Sequence, residues 1–151
     1  VHSSKGNPNS YELWANLADA QRWIPAQQKG SQESYQRAID LLTPLLTRMP
    51  NDATLNSRMA LYCAYVGAKK EALSKARSAL LIAPALPDIQ FRAALTHELI
   101  GDSNAAITAL LEAARLGYPL NLIETAPDLL NLRRDVRYQQ FIINIKRDRK
   151  T

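Results

Sequence analysis

Two solitary glycines, Gly67 and Gly101, sit thirty-four residues apart and constrain this chain more than any other feature. "YVGAKKEAL" (65–73) and "LIGDSNAAI" (99–107) each place one glycine inside an otherwise helix-forming run, with Ala72 followed by Ala106. The chain has only five glycines, so a matched pair at one interval reads as a period. Aligning 53–86 with 87–120 superposes Met59 on Ala93, Ala60 on Ala94, Ala76 on Leu110 and Ala79 on Ala113. Small residues recurring where two helices must approach closely describe a stacked helical hairpin. The glycine at each joint supplies the left-handed residue that ends a helix.

Helical periodicity predicts helices over about 53–66, 69–82, 87–100 and 103–116, with Asp52 as a cap and Pro87 in a first turn. Earlier in the chain Ser10 is a candidate N-cap for a helix over 11–23, with Trp14, Leu17 and Ala18 as its apolar stripe. Pro25 ends that helix, and "IPAQQKGSQES" reads as a polar connection. A helix over 32–48 follows, with Tyr35, Ala38, Ile39, Leu42, Leu45 and Leu46 on one face and Pro44 as an expected kink. No strand pattern is visible.

At these positions the chain resembles the tetratricopeptide repeat (TPR) family. That family's pattern puts an aromatic, a leucine and a small residue in the first helix, then Ala, an aromatic or leucine, Ala and Pro in the second. The segment 11–50 matches with Trp14, Leu17, Ala18, Ala38, Leu42, Leu45 and Pro50, but is eight residues too long, the excess falling at "IPAQQKGS". The resemblance implies an all-α fold, a right-handed α-α superhelix of three hairpins (about 11–52, 53–86 and 87–120) spanning 11–118, against a non-repetitive helical bundle as the competing architecture. After "LGYPLNLIETAPDLLNLRRDVRYQQFI" the repeat lapses. That stretch resembles the closing segment of C-terminal TPR arrays in bacterial multi-domain signalling and regulatory proteins. A last repeat exposes the apolar face that a further repeat would cover. Residues 119–145 are therefore expected to cap the array, with Leu129, Leu130, Leu132, Tyr138, Phe141 and Ile142 as the lid. Residues 1–10 read as a flexible leader and 146–151 as a basic tail.

Composition narrows the function classes. Apolar residues make up 46% and charged residues 22%, an ordinary soluble balance. The longest apolar run, "ALLIAPAL" (79–86), is too short to span a membrane and is broken by Pro84. No signal peptide is visible, so a soluble domain is expected, cytoplasmic unless a membrane anchor in the parent chain places it outside. A start at Val is read as a piece cut from a longer chain. The whole net charge of +5 falls in 131–151, which leaves the body neutral and argues against nucleic acid as the partner.

The inventory for chemistry is thin. Cys63 and His97 share one slot in successive repeats and are expected to pack inside the hairpins, not to form a nucleophilic pair. Neither has a Cys or His neighbour at metal-ligand spacing, and neither glycine precedes a Lys-Ser/Thr pair. Glu124 and Asp128 read as turn or cap residues. Neither enzyme activity nor a cofactor or metal is expected. Binding is what remains.

The TPR resemblance implies a concave groove lined by the first helix of each unit. Carried onto this sequence, its facing positions are Asn16, Asp19 and Arg22, then Arg58, Leu61 and Tyr65, then Phe91, Arg92 and Leu95. Arg58 and Arg92 fall one repeat apart and would form a basic pair for the acidic group of a peptide or protein partner; the alternative is a solvated surface role, or pairing with Asp19 and Glu98. The slots Ala15, Asp19, Arg58, Asp88 and Arg92 lack the Lys and Asn set with which family members clamp chaperone tails. Two other readings stay open. One is polyanion or membrane-surface contact through Lys146, Arg147, Arg149 and Lys150, and the other is self-association through the open edge of the array.

Overall fold

The computed structural model describes residues 10–149, and they form an all-α array of helical hairpins with no strand among the described residues. The first hairpin joins α1 (Tyr11–Arg22) to α2 (Gln28–Arg48) through a 3-10 turn at Pro25–Gln27. The second joins α3 (Ala53–Tyr65) to α4 (Lys69–Ile82), and the third joins α5 (Pro87–Leu99) to α6 (Ser103–Arg115). Each helix packs most extensively on its hairpin mate, while α3 bridges the units by packing on α2 and α5. The leader's first nine residues, together with Lys150 and Thr151, lie outside the described residues.

Local chemistry explains the joints. Gly67 and Gly101 have φ of 82° and 92°, a region that residues with a Cβ rarely adopt. At the first joint the Ala68 N–H donates to the Cys63 carbonyl (2.9 Å) and the Gly67 N–H to Ala64 (3.1 Å); at the second, Asp102 and Gly101 repeat both bonds on His97 and Glu98. This is the double bond pattern of a Schellman cap. Gly117 closes α6 the same way with φ of 101°. The starts are capped by Asp52 and Asp102, whose carboxylates accept from the Leu55 and Ala105 N–H groups at 2.9 and 3.0 Å. The links between hairpins repeat too. Asn56 donates to the Pro50 carbonyl and Gln90, thirty-four residues on, donates to the Pro84 carbonyl.

The first unit departs from expectation in its joint. "IPAQQKGS" is not a polar loop: only Pro25–Gln27 is a turn, and α2 begins at Gln28, so the insertion becomes extra helix. The reason is packing on α1. Buried Ser31 donates to the Ala18 carbonyl (2.9 Å) and Ser34 donates to the Gln21 side chain (2.7 Å). The helix runs unbroken through Pro44. Leu17, expected in the core stripe, is 44% exposed, because Tyr11, Ala15 and Ala18 form the buried face of α1.

The closing segment consists of α7 (Leu120–Thr125), a 3-10 turn at Pro127–Leu129, α8 (Leu130–Arg133) and α9 (Val136–Arg149). Ile123, Leu129, Leu132, Tyr138 and Ile142 are buried in one cluster with Ala106, Ile107 and Leu110 of α6, and Phe141 packs against it. The edge that another hairpin would cover is thus occupied by the chain's own end. Leu130, expected in this lid, is turned outward and 48% exposed. The basic residues from Lys146 to Arg149 continue α9 and do not form a separate tail.

Candidate functional site

Short turns make the two helices of each hairpin antiparallel, so α1, α3 and α5 run in the same direction. They lie side by side and line a concavity of about 420 Å³. Its lining rises from each helix at spacings of three or four: Glu12, Ala15, Asn16, Asp19 and Arg22; Arg58, Leu61, Tyr62 and Tyr65; Arg92 and Leu95. Of the nine positions named from the sequence, eight meet here. The ninth, Phe91, turns away to stack on Tyr118 with ring centroids 4.1 Å apart. It belongs with the core of the closing segment.

Midway along α3 and α5 the groove carries Arg58 and Arg92, with Arg58 near Glu12 in the first turn of α1. Arg58 donates to the Tyr11 hydroxyl at 2.7 Å and lies 3.6 Å from the exposed Glu12 carboxylate. Arg92 donates to the Ser57 hydroxyl at 3.2 Å. Among the described residues no carboxylate lies within 4.0 Å of it, and Asp88, one turn back, is exposed and outside the lining. Burial, and then the neighbouring Arg58 charge, lower the Arg92 pKa from its ordinary value. The pairing of these arginines with Asp19 and Glu98 does not occur: Asp19 accepts from Tyr35, and Glu98 accepts from Ser103.

The C-terminal end is built differently. Arg22 makes two hydrogen bonds to Asp128, at 2.7 and 2.8 Å, with its guanidinium 4.4 Å from the ring centroids of both Trp23 and Tyr65. The Tyr65 hydroxyl completes the seat, donating to Asp128 at 3.0 Å. Burial, then the Asp128 charge, push the Tyr65 phenol well above its usual range. Asp128 is therefore no turn cap. It seats the groove residues Arg22 and Tyr65 from the closing segment, 106 positions from Arg22 in sequence. Glu124, read with it as a cap, pairs with Lys146 at 3.1 Å.

Tyr35 is a second contributor to the site, one that sequence reasoning placed only in the core. It is fully buried on α2, stacked on Tyr65 at 4.4 Å, and its hydroxyl donates to Asp19 at the groove floor. Asp19 itself is open to the groove, yet the protein around it desolvates the carboxyl enough to raise its pKa above the ordinary value. A tyrosine within a helical stripe signals core, and nothing local signals the carboxylate beyond it.

Elsewhere the chemistry-bearing groups are enclosed or paired. Cys63 is 3% exposed, and burial pushes its thiol up to about 11, which leaves little nucleophilic thiolate at neutral pH. His97 is buried at the edge of a more open hollow beside α6, and burial lowers its pKa. Among the described residues no His, Cys, Asp and Glu group could hold a metal ion, and no helix is long and apolar enough to cross a membrane. Of the terminal cations, Lys146 pairs with Glu124, Arg147 donates to Asn144, and Arg149 donates to the Ala114 carbonyl; Lys150 lies outside the described residues. No protein-family model matches the chain, and no curated protein matches it.

Proposed function

We propose that this chain is a tetratricopeptide-repeat module whose concave groove binds a peptide or protein segment bearing an acidic group, as the interaction or scaffold domain of a bacterial signalling or regulatory protein. The observation that carries this reading is Arg92: a desolvated guanidinium facing a cavity beside Arg58, held by one neutral hydroxyl and no carboxylate within 4.0 Å among the described residues. A guanidinium presents a planar fork of donors, and a carboxylate completes it with two charge-assisted bonds. The thirty-four-residue period supports the module, since it puts Arg58 and Arg92 at equivalent points of neighbouring first helices.

The test is selection of a phage-displayed random peptide library on the full chain. Acidic residues are expected to be enriched, and Arg58→Ala with Arg92→Ala is expected to weaken the selected peptides by about tenfold or more. Both substituted side chains are partly exposed, so circular dichroism should show the fold retained. Selected peptides indifferent to both arginines, yet lost on deletion of residues after Ile145, would overturn the groove reading in favour of the basic end.

A further inference from the structure

The two ends of the groove carry opposite charge. The end beside Glu12 holds Arg58 and Arg92 against that single carboxylate, which is 60% exposed. The C-terminal end holds two carboxylates, Asp19 and Asp128, against Arg22, and Asp128 takes both prongs of that guanidinium. Asp19 is left with the Tyr35 hydroxyl and, among the described residues, no cation within 4.0 Å. The backbone adds to this polarity. Asp19 lies in the last turn of α1, at the negative end of that helix's dipole.

The distance between these ends follows from helix geometry. Glu12, which faces Arg58, and Asp19 are seven residues apart on α1, a rise of about 10 Å. Three residues of polyproline-II chain advance about 9 Å and return a side chain to the same face. An extended segment can therefore reach both ends with side chains three residues apart.

We propose that the groove selects an extended segment with an acidic and a basic side chain three residues apart, the acid on Arg58 and Arg92 and the base at Asp19. This rests on the peptide-groove reading and adds to it a requirement for opposite charges. In this arrangement Asp128 stands behind Arg22 and Tyr65 as their fixed anchor. Its neighbours Leu129 and Leu132 are buried, and it removes Arg22 as a rival seat for the ligand's carboxylate.

The experiment titrates the full chain with three short peptides on one proline-rich neutral scaffold, acetylated and amidated at their ends. They carry one Glu and one Lys three apart, two Glu, or two Lys. The mixed peptide should bind at least about fivefold tighter than either other. Asp19→Asn should bring the two-Glu peptide to within about twofold of the mixed one, and the double arginine substitution should weaken both. If the two-Glu peptide binds wild type as tightly as the mixed one and still depends on the arginines, the charge-pair inference fails and the groove reading stands. If no peptide binds, or none responds to the arginines, both fail.

Discussion

Asp19 illustrates how much one side chain's meaning depends on its surroundings. It lies on an open face of α1, where a lone aspartate is ordinarily a solvated, acid-labile group. Enclosure by the first two hairpins raises its pKa, with the Tyr35 hydrogen bond and the Arg22 charge opposing that rise. Folding therefore favours the protonated form of this carboxyl. Its contribution to stability grows as pH falls through its folded pKa and levels off below about 3.9, its unfolded value. Asp135 is the opposite case: hydrogen bonds from Arg137 depress its pKa, so its contribution is lost in acid. Urea unfolding of wild type and Asp19→Asn between neutral and acid pH separates Asp19 from the other carboxylates. The wild-type stability minus the variant's should climb as pH falls; a flat or falling difference contradicts the desolvated carboxylate.

At the scale of elements, the closing segment shows what pattern alone cannot resolve. Leu129 and Leu130 are neighbours, and both fit a lid for the last hairpin. Consecutive helical residues point about 100–120° apart, so where the 3-10 turn passes into α8 Leu129 faces inward and Leu130 outward. Leu129→Ala should cost about 2–5 kcal/mol by leaving a cavity, whereas Leu130→Ala should stay within about 0.5 kcal/mol. Equal costs by chemical denaturation would place the two in similar environments. The insertion in the first unit teaches the same lesson. Its Gln, Ser and Gly look like a loop, but Ser31 and Ser34 have α1 to bond, so helix replaces loop.

For the whole molecule, the decisive contact joins the closing turn to the first hairpin. Arg22 and Asp128 are 20% and 14% exposed, doubly hydrogen-bonded, and flanked by Trp23 and Tyr65 rings. A double-mutant cycle on Arg22→Ala and Asp128→Ala should give a coupling of about 1–3 kcal/mol. The same cycle on Lys146 and Glu124, 49% and 42% exposed, should give no more than about 1 kcal/mol. A null coupling at Arg22–Asp128 would mean that the turn stays in place without the ion pair. The hairpins and their glycine joints were legible in the sequence, because they depend on helical period and on chain bonds within a few residues. The groove positions came from the family resemblance, and eight of the nine line the concavity. Phe91 is the exception, because the resemblance does not register Tyr118, whose ring stacks on it. Asp128, Tyr35 as the donor to Asp19, and the opposed charges of the two groove ends came from tertiary structure alone. Local rules carry the repeat, but the groove's electrostatics are set by side chains brought together from α1, α2, α3, α5 and the closing turn, and no local pattern encodes that meeting.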